Sequence, residues 1–124
     1  MTTISANNNI DIYQTSDSFY YTIDNNSSQH SINNTDWPIT IQNNGIGEVI
    51  VNFATVITFN NTTDNNGGIK NYFICGSNNI QFGNNTKTTI NLDGITNGYP
   101  GLIQNGYDDG VNNENGKRNI TIKN

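Results

Sequence analysis

Charge, cysteine and long apolar runs are what this sequence has least of. Five Lys plus Arg stand against ten Asp plus Glu, and no basic cluster is longer than Lys117-Arg118. Nothing here neutralises a phosphate backbone or settles on an anionic membrane, so nucleic acid is excluded as an expected partner. The single Cys75 excludes an intramolecular disulfide, and its place in "YFICGS" suits a small buried hydrophobe better than a nucleophile. Apolar runs such as "VIVNF" and "YFIC" are too short to span a bilayer, and the opening "MTTISANNNIDIYQ" has neither the basic nor the apolar region of a classical export signal. No stretch carries the 3.6-residue pattern of an amphipathic helix. The sole His30 lies in a Ser/Asn-rich connection with no recognisable acid or nucleophile motif, so no catalytic triad is expected and the chain is not read as an enzyme.

What the chain has in excess is asparagine, 27 of 124 residues. Apolar residues make up only 32%, against about 45–50% in a usual globular chain. Two observations weigh against an Asn-rich disordered or amyloid-prone segment, which stands as a third reading: Ile, Val, Leu and Phe still number 29, and they are periodic. The length accommodates one domain with one core. Seven N-x-S/T sequons, at Asn25, Asn26, Asn33, Asn60, Asn61, Asn84 and Asn119, leave glycan attachment open, but 27 Asn and 22 Ser plus Thr produce that motif readily by chance.

The periodicity is carried by a recurring phrase: "YTIDNN" at 21–26, "ITIQNN" at 39–44, "VITFNN" at 56–61, "IQFGNN" at 80–85, "LIQNG" at 102–106 and "ITIKN" at 120–124. Aligned on their second apolar residue they place Ile23, Ile41, Phe59, Phe82, Ile103 and Ile122 at separations of 18, 18, 23, 21 and 19. Short alternating strands repeated at this spacing predict an all-β, single-stranded parallel β-helix, a solenoid of about five or six short turns. Residues 37–124 are assigned to those turns and residues 1–36, with "SFYYTI" and a looser pattern, to an N-terminal cap or extension.

Alternation sorts the side chains. Ile39 and Ile41, Ile57 and Phe59, Ile80 and Phe82, Ile90 and Leu92, and Ile120 and Ile122 fall on one strand face, leaving Thr40, Thr58, Gln81, Asn91 and Thr121 on the other. Stacking the turns about 4.8 Å apart predicts one interior column through Ile41, Phe59, Phe82, Ile103 and Ile122. Asn suits the sharp corners, since it tolerates left-handed backbone and bonds its own main chain; in-phase Asn43, Asn60, Asn84 and Asn105 are candidates for an amide ladder between turns. Trp37, before Pro38, is placed as a plug at the capped end.

The segments "WPITIQNNG" (37–45), "NYFICGSNNIQFG" (71–83) and "TINLDGITNGYPGLIQNG" (89–106) resemble right-handed parallel β-helix repeat proteins that giant DNA viruses of amoebae encode in paralogous sets. The resemblance covers residues 37–124 and implies a pectate-lyase-like fold in proteins mostly of unassigned function, on or around the virion.

Two functions follow as expectations. The first is a structural protein that polymerises with itself, or docks with other virion structural proteins, through exposed strand edges into a fibre, layer or other virion-associated or extracellular assembly. Its assembly edge is the unfinished strand Asn119, Ile120, Thr121 and Ile122. The second is a carbohydrate-binding or polysaccharide-degrading module in which Asp108, Asp109 and Glu114, with Arg118 nearby, offer oxygens to Ca²⁺. That segment also reads as a plain solvated loop, and no metal ligand, catalytic residue or cofactor is assigned.

Overall fold

In the computed structural model, residues 2–59, 71–84, 86–92, 101–106 and 120–123 are described. They form twelve strands: β1 Thr2–Ala6, β2 Asn9–Thr15, β3 Ser18–Ile23, β4 His30–Ile32, β5 Ile39–Asn43, β6 Val49–Phe53, β7 Val56–Phe59, β8 Asn71–Cys75, β9 Ile80–Phe82, β10 Thr89–Leu92, β11 Gly101–Asn105 and β12 Ile120–Ile122. One 3-10 turn, Asn34–Asp36, precedes β5. Asp36 fixes that turn by accepting the Asn33 N–H at 2.7 Å and the Thr2 hydroxyl at 2.9 Å, which also ties down the start of β1.

The chain is all-β, but it is not a single-stranded β-helix. Its strands make three separate sheets, none closed on itself. One is four-stranded and parallel, in the order β1-β5-β8-β11; a second pairs β10 with β7, also parallel; the third is six-stranded, in the order β12-β9-β6-β2-β3-β4. The last is mixed, because β2, β3 and β4 are joined antiparallel while the other pairs run parallel.

The expected period fails for a physical reason. Phrases that follow one another in sequence lie in different sheets, so β5 does not pair with β7; it pairs with β1 and β8, through Ile4↔Ile41 and Ile41↔Cys75. Partners in the parallel sheets lie between 30 residues apart, as in Phe73↔Ile103, and 41, as in Ile10↔Val51. The separations of 18 to 23 seen in sequence mostly mark the next strand but one along the chain, from β3 to β5, β7, β9 and β11, and not the next strand in a sheet.

On β5, β7 and β9 alternation nevertheless chose the core side correctly, whereas Ile122 on β12, also expected inside, is exposed. Ile39, Ile41, Ile57, Phe59, Ile80 and Phe82 are all fully buried, together with Ile4, Ile10, Ile12, Val49 and Val51. Side chains of this size each contribute on the order of 1.5–3 kcal/mol when removed from water. Thr40 and Gln81, expected outside, are 1% and 4% exposed. Both sit on strands flanked by neighbours on each side, and Gln81 turns its amide back to the Gly83 carbonyl at 2.8 Å.

Aromatic rings concentrate around Trp37, which is 3% exposed and meets Phe19, Phe59, Tyr72 and Phe73 edge-on at 5.5 to 5.6 Å. Phe19 stacks on Phe59, and Phe59 on Tyr72. Edge-to-face contacts place the positive ring edge against the negative ring face, so the cluster gains beyond its buried area.

Corners use the chemistry that asparagine offers, though not as a ladder at Asn43. Its side-chain NH₂ donates to the carbonyls of Gly47 and Asn79 and its side-chain oxygen accepts from the Gly45 N–H, so it organises the β5–β6 corner through main-chain bonds. Its register partner on β1 is Ala6. Asn79, Asp24 and Asn25 adopt φ of 60, 51 and 58, the left-handed region.

Candidate assembly edge

Among the described residues, β12 is the outermost strand of the six-stranded sheet. It is held on β9 by the register Ile120↔Ile80, Thr121↔Gln81 and Ile122↔Phe82, and Lys123 N–H donates to the Phe82 carbonyl at 2.8 Å. In a parallel ladder the residues that bond one neighbour alternate with those that face away. Since Lys123 bonds β9, so does Thr121, while the main-chain N–H and C=O groups of Ile120 and Ile122 point outward, away from β9. The edge therefore carries two donors and two acceptors in a fixed two-residue spacing.

Gly83 makes this docking possible. It has φ of 85, and a Cβ built on it would collide with the Lys123 carbonyl oxygen, so β12 lies against a backbone that only glycine leaves open.

Ile122 continues the buried row Ile10, Val51, Phe82, yet is itself 70% exposed. It borders an apolar cleft of about 240 Å³ whose walls include Phe53, Phe82, Ile90, Leu102 and Ile103. Phe53, Ile90, Leu102 and Ile103 are partly buried residues packed against the core. The cleft is thus where the described part of the core meets the surface, beside the free edge.

The other end of the same sheet is built differently. There β2 is followed by the antiparallel strands β3 and β4, and β4 presents exposed His30 and Ser31. Beneath them Phe19 closes on Trp37 and Phe59. The unpaired side of β7 is covered by a side chain: Gln14 donates from Nε2 to the Thr58 carbonyl and accepts the Thr58 N–H on Oε1, both at 2.9 Å. The turn joining β2 to β3 uses Ser16 at φ 54, and the loop after β3 is fixed by Asp24. The Asp24 carboxylate accepts the N–H groups of Asn8 at 2.6 Å, Asn9 at 3.1 Å and Asn7 at 3.0 Å. Its slight burial works to raise the carboxyl pKa, but those three main-chain donors together outweigh it and hold the group below the usual aspartate value.

The residues expected to stack in one column are distributed over the sheets: Ile41 on β5 and Ile103 on β11 in the four-stranded sheet, Phe59 on β7 in the two-stranded one, and Phe82 with Ile122 in the six-stranded one. Only Phe82 and Ile122 are direct register partners among them. Of the expected assembly edge, Ile120, Thr121 and Ile122 form β12, and Asn119 lies outside the described residues. Asp108, Asp109, Glu114 and Arg118 also lie outside them, as do Asn60, Asn61 and Asp93.

Among the described residues no group of three or more His, Cys, Asp or Glu is placed to hold a metal ion. His30 is exposed and stacks on Tyr21 with ring centroids 5.0 Å apart. Burial, and secondarily the Asp36 carboxylate, push the Tyr21 hydroxyl above its ordinary pKa. No described helix is long and apolar enough to cross a membrane.

The closure by Gln14 and the Asp24 clasp were not read from sequence. "IDNN" signals a turn after β3, but its three donors are 15 to 17 residues earlier in "ANNN", and nothing in the chain order joins the two. Comparison with protein-family models, curated proteins and solved structures gives no match for this chain.

Proposed function

We propose that this chain is a structural protein that builds an assembly by strand addition at β12. The observation that carries this reading is the coincidence at one strand of outward main-chain groups and an exposed apolar side chain. Ile122 offers both, on the edge of a six-stranded sheet and beside a cleft lined by core residues. An edge of this kind is a template for another strand, and natural sheets blunt edges that are not used. The other edge strand of this sheet, β4, is also three residues long, but it presents exposed His30 and Ser31 where β12 presents exposed Ile122. The likeness of "FICGS", "IQFG" and "YPGLIQNG" to the repeat proteins of giant viruses supports a virion or extracellular setting for the assembly.

The test is sedimentation velocity over a concentration series, comparing the intact chain with Ile122→Pro. Proline removes one outward N–H and leaves the Thr121 and Lys123 bonds to β9 in place. The intact chain is expected to associate with rising concentration, and the variant to sediment as a monomer with its circular dichroism unchanged. A monomeric intact chain at every concentration would refute the reading.

A further inference from the structure

We infer that the partner at β12 is a second copy of this chain, joined edge to edge and antiparallel about a two-fold axis through Thr121. This rests on the strand-addition reading above and gives it a geometry. The outward groups belong to Ile120 and Ile122, one residue either side of Thr121. When two such edges meet antiparallel with Thr121 opposite its own copy, Ile120 of each faces Ile122 of the other, and each facing pair exchanges both an N–H and a C=O. No donor or acceptor at the junction is left over. The edge is its own complement.

Thr121 then sits at the non-hydrogen-bonded position, where opposed Cα atoms approach to about 4.5 Å. A two-fold axis perpendicular to the sheet keeps the core faces on one side. Both exposed Ile122 side chains and both apolar clefts therefore meet on the same face, and apolar surface is covered along with the edge.

A head-to-tail arrangement lacks this fit. It would bring β12 of one copy against β4 of the next, which presents exposed polar His30 and Ser31 over a core already closed by Phe19 and Trp37. Head-to-tail contacts propagate into filaments, whereas an isologous contact between like edges closes at two. The unit is accordingly a dimer, from which any larger assembly is built by other surfaces.

The test is oxidative cross-linking of Thr121→Cys against Lys123→Cys, with the native Cys75 retained because it is fully buried. A disulfide requires Cα atoms within about 7 Å. In the proposed dimer the two 121 positions satisfy that, while the two 123 positions lie about 13 Å apart along the joined strands. Thr121→Cys is expected to give a reducible covalent dimer as its main product and Lys123→Cys little. If both variants associate in sedimentation but Thr121→Cys fails to cross-link, or Lys123→Cys cross-links as readily, the two-fold geometry is wrong while strand addition stands. If the intact chain and Thr121→Cys are both monomeric in sedimentation, the two readings fall together.

Discussion

The side-chain amide of Gln14 pairs with the main chain of Thr58 as a neighbouring strand would, donating to its carbonyl and accepting its N–H at 2.9 Å in each direction. One side chain thus terminates β7 on the side away from β10. Gln14→Ala leaves both Thr58 groups without these partners in a partly buried place and is expected to destabilise the fold by about 1–3 kcal/mol. Gln14→Glu keeps an acceptor for the N–H but sets a carboxylate against the Thr58 carbonyl, so it should also destabilise. Urea unfolding with an unchanged slope checks both.

The Asp24 clasp has a definite pH signature. Its folded pKa is lowered below the ordinary value of 3.8, so its stabilisation is present above that value and is lost as pH falls through the folded pKa. Asp24→Asn keeps a residue that tolerates φ of 51, and it removes the charge and one of the two acceptor oxygens. The variant should be less stable than the parent at neutral pH, with the difference shrinking below about pH 4. Thermal unfolding from pH 2 to 7 measures it; a difference independent of pH would show that the carboxylate charge contributes nothing there.

Gly83→Ala tests how β12 is seated. The new methyl would be strained at φ of 85 and would meet the Lys123 carbonyl, so β12 must shift off β9. The left-handed backbone alone costs about 1–2 kcal/mol. The expected outcome is loss of concentration-dependent association in sedimentation, with near-parental far-UV circular dichroism because β9 is still held by β6.

Much of the strand content was legible because alternation is a local property. "ITIQN" became β5, "VITF" became β7, "IQF" became β9 and "ITI" became β12, and the residues assigned inward on β5, β7 and β9 are buried. Pairing was not legible, because alternation says which face a side chain occupies and nothing about which strand lies alongside. Ile41 and Phe59 share a phrase, yet Ile41 stands beside Ile4 and Cys75 and Phe59 beside Leu92. The cap assigned to residues 1–36 illustrates the same limit: β1 and β2 are integral to the two larger sheets, and their partners in β5 and β6 lie 37 to 41 residues later. Ile120–Ile122 form the outermost strand of the six-stranded sheet among the described residues, whereas Gln14 and Asp24 act through contacts between segments that the sequence does not connect.

Amide hydrogen exchange at Ile122 addresses the central claim most directly, because its N–H faces away from β9, has no partner among the described residues and would gain one in the proposed assembly. Protection of that amide should rise with protein concentration, while Thr121, bonded to β9, stays protected in dilute and concentrated samples alike. Exchange at Ile122 that is fast and identical at every concentration would contradict strand addition at β12.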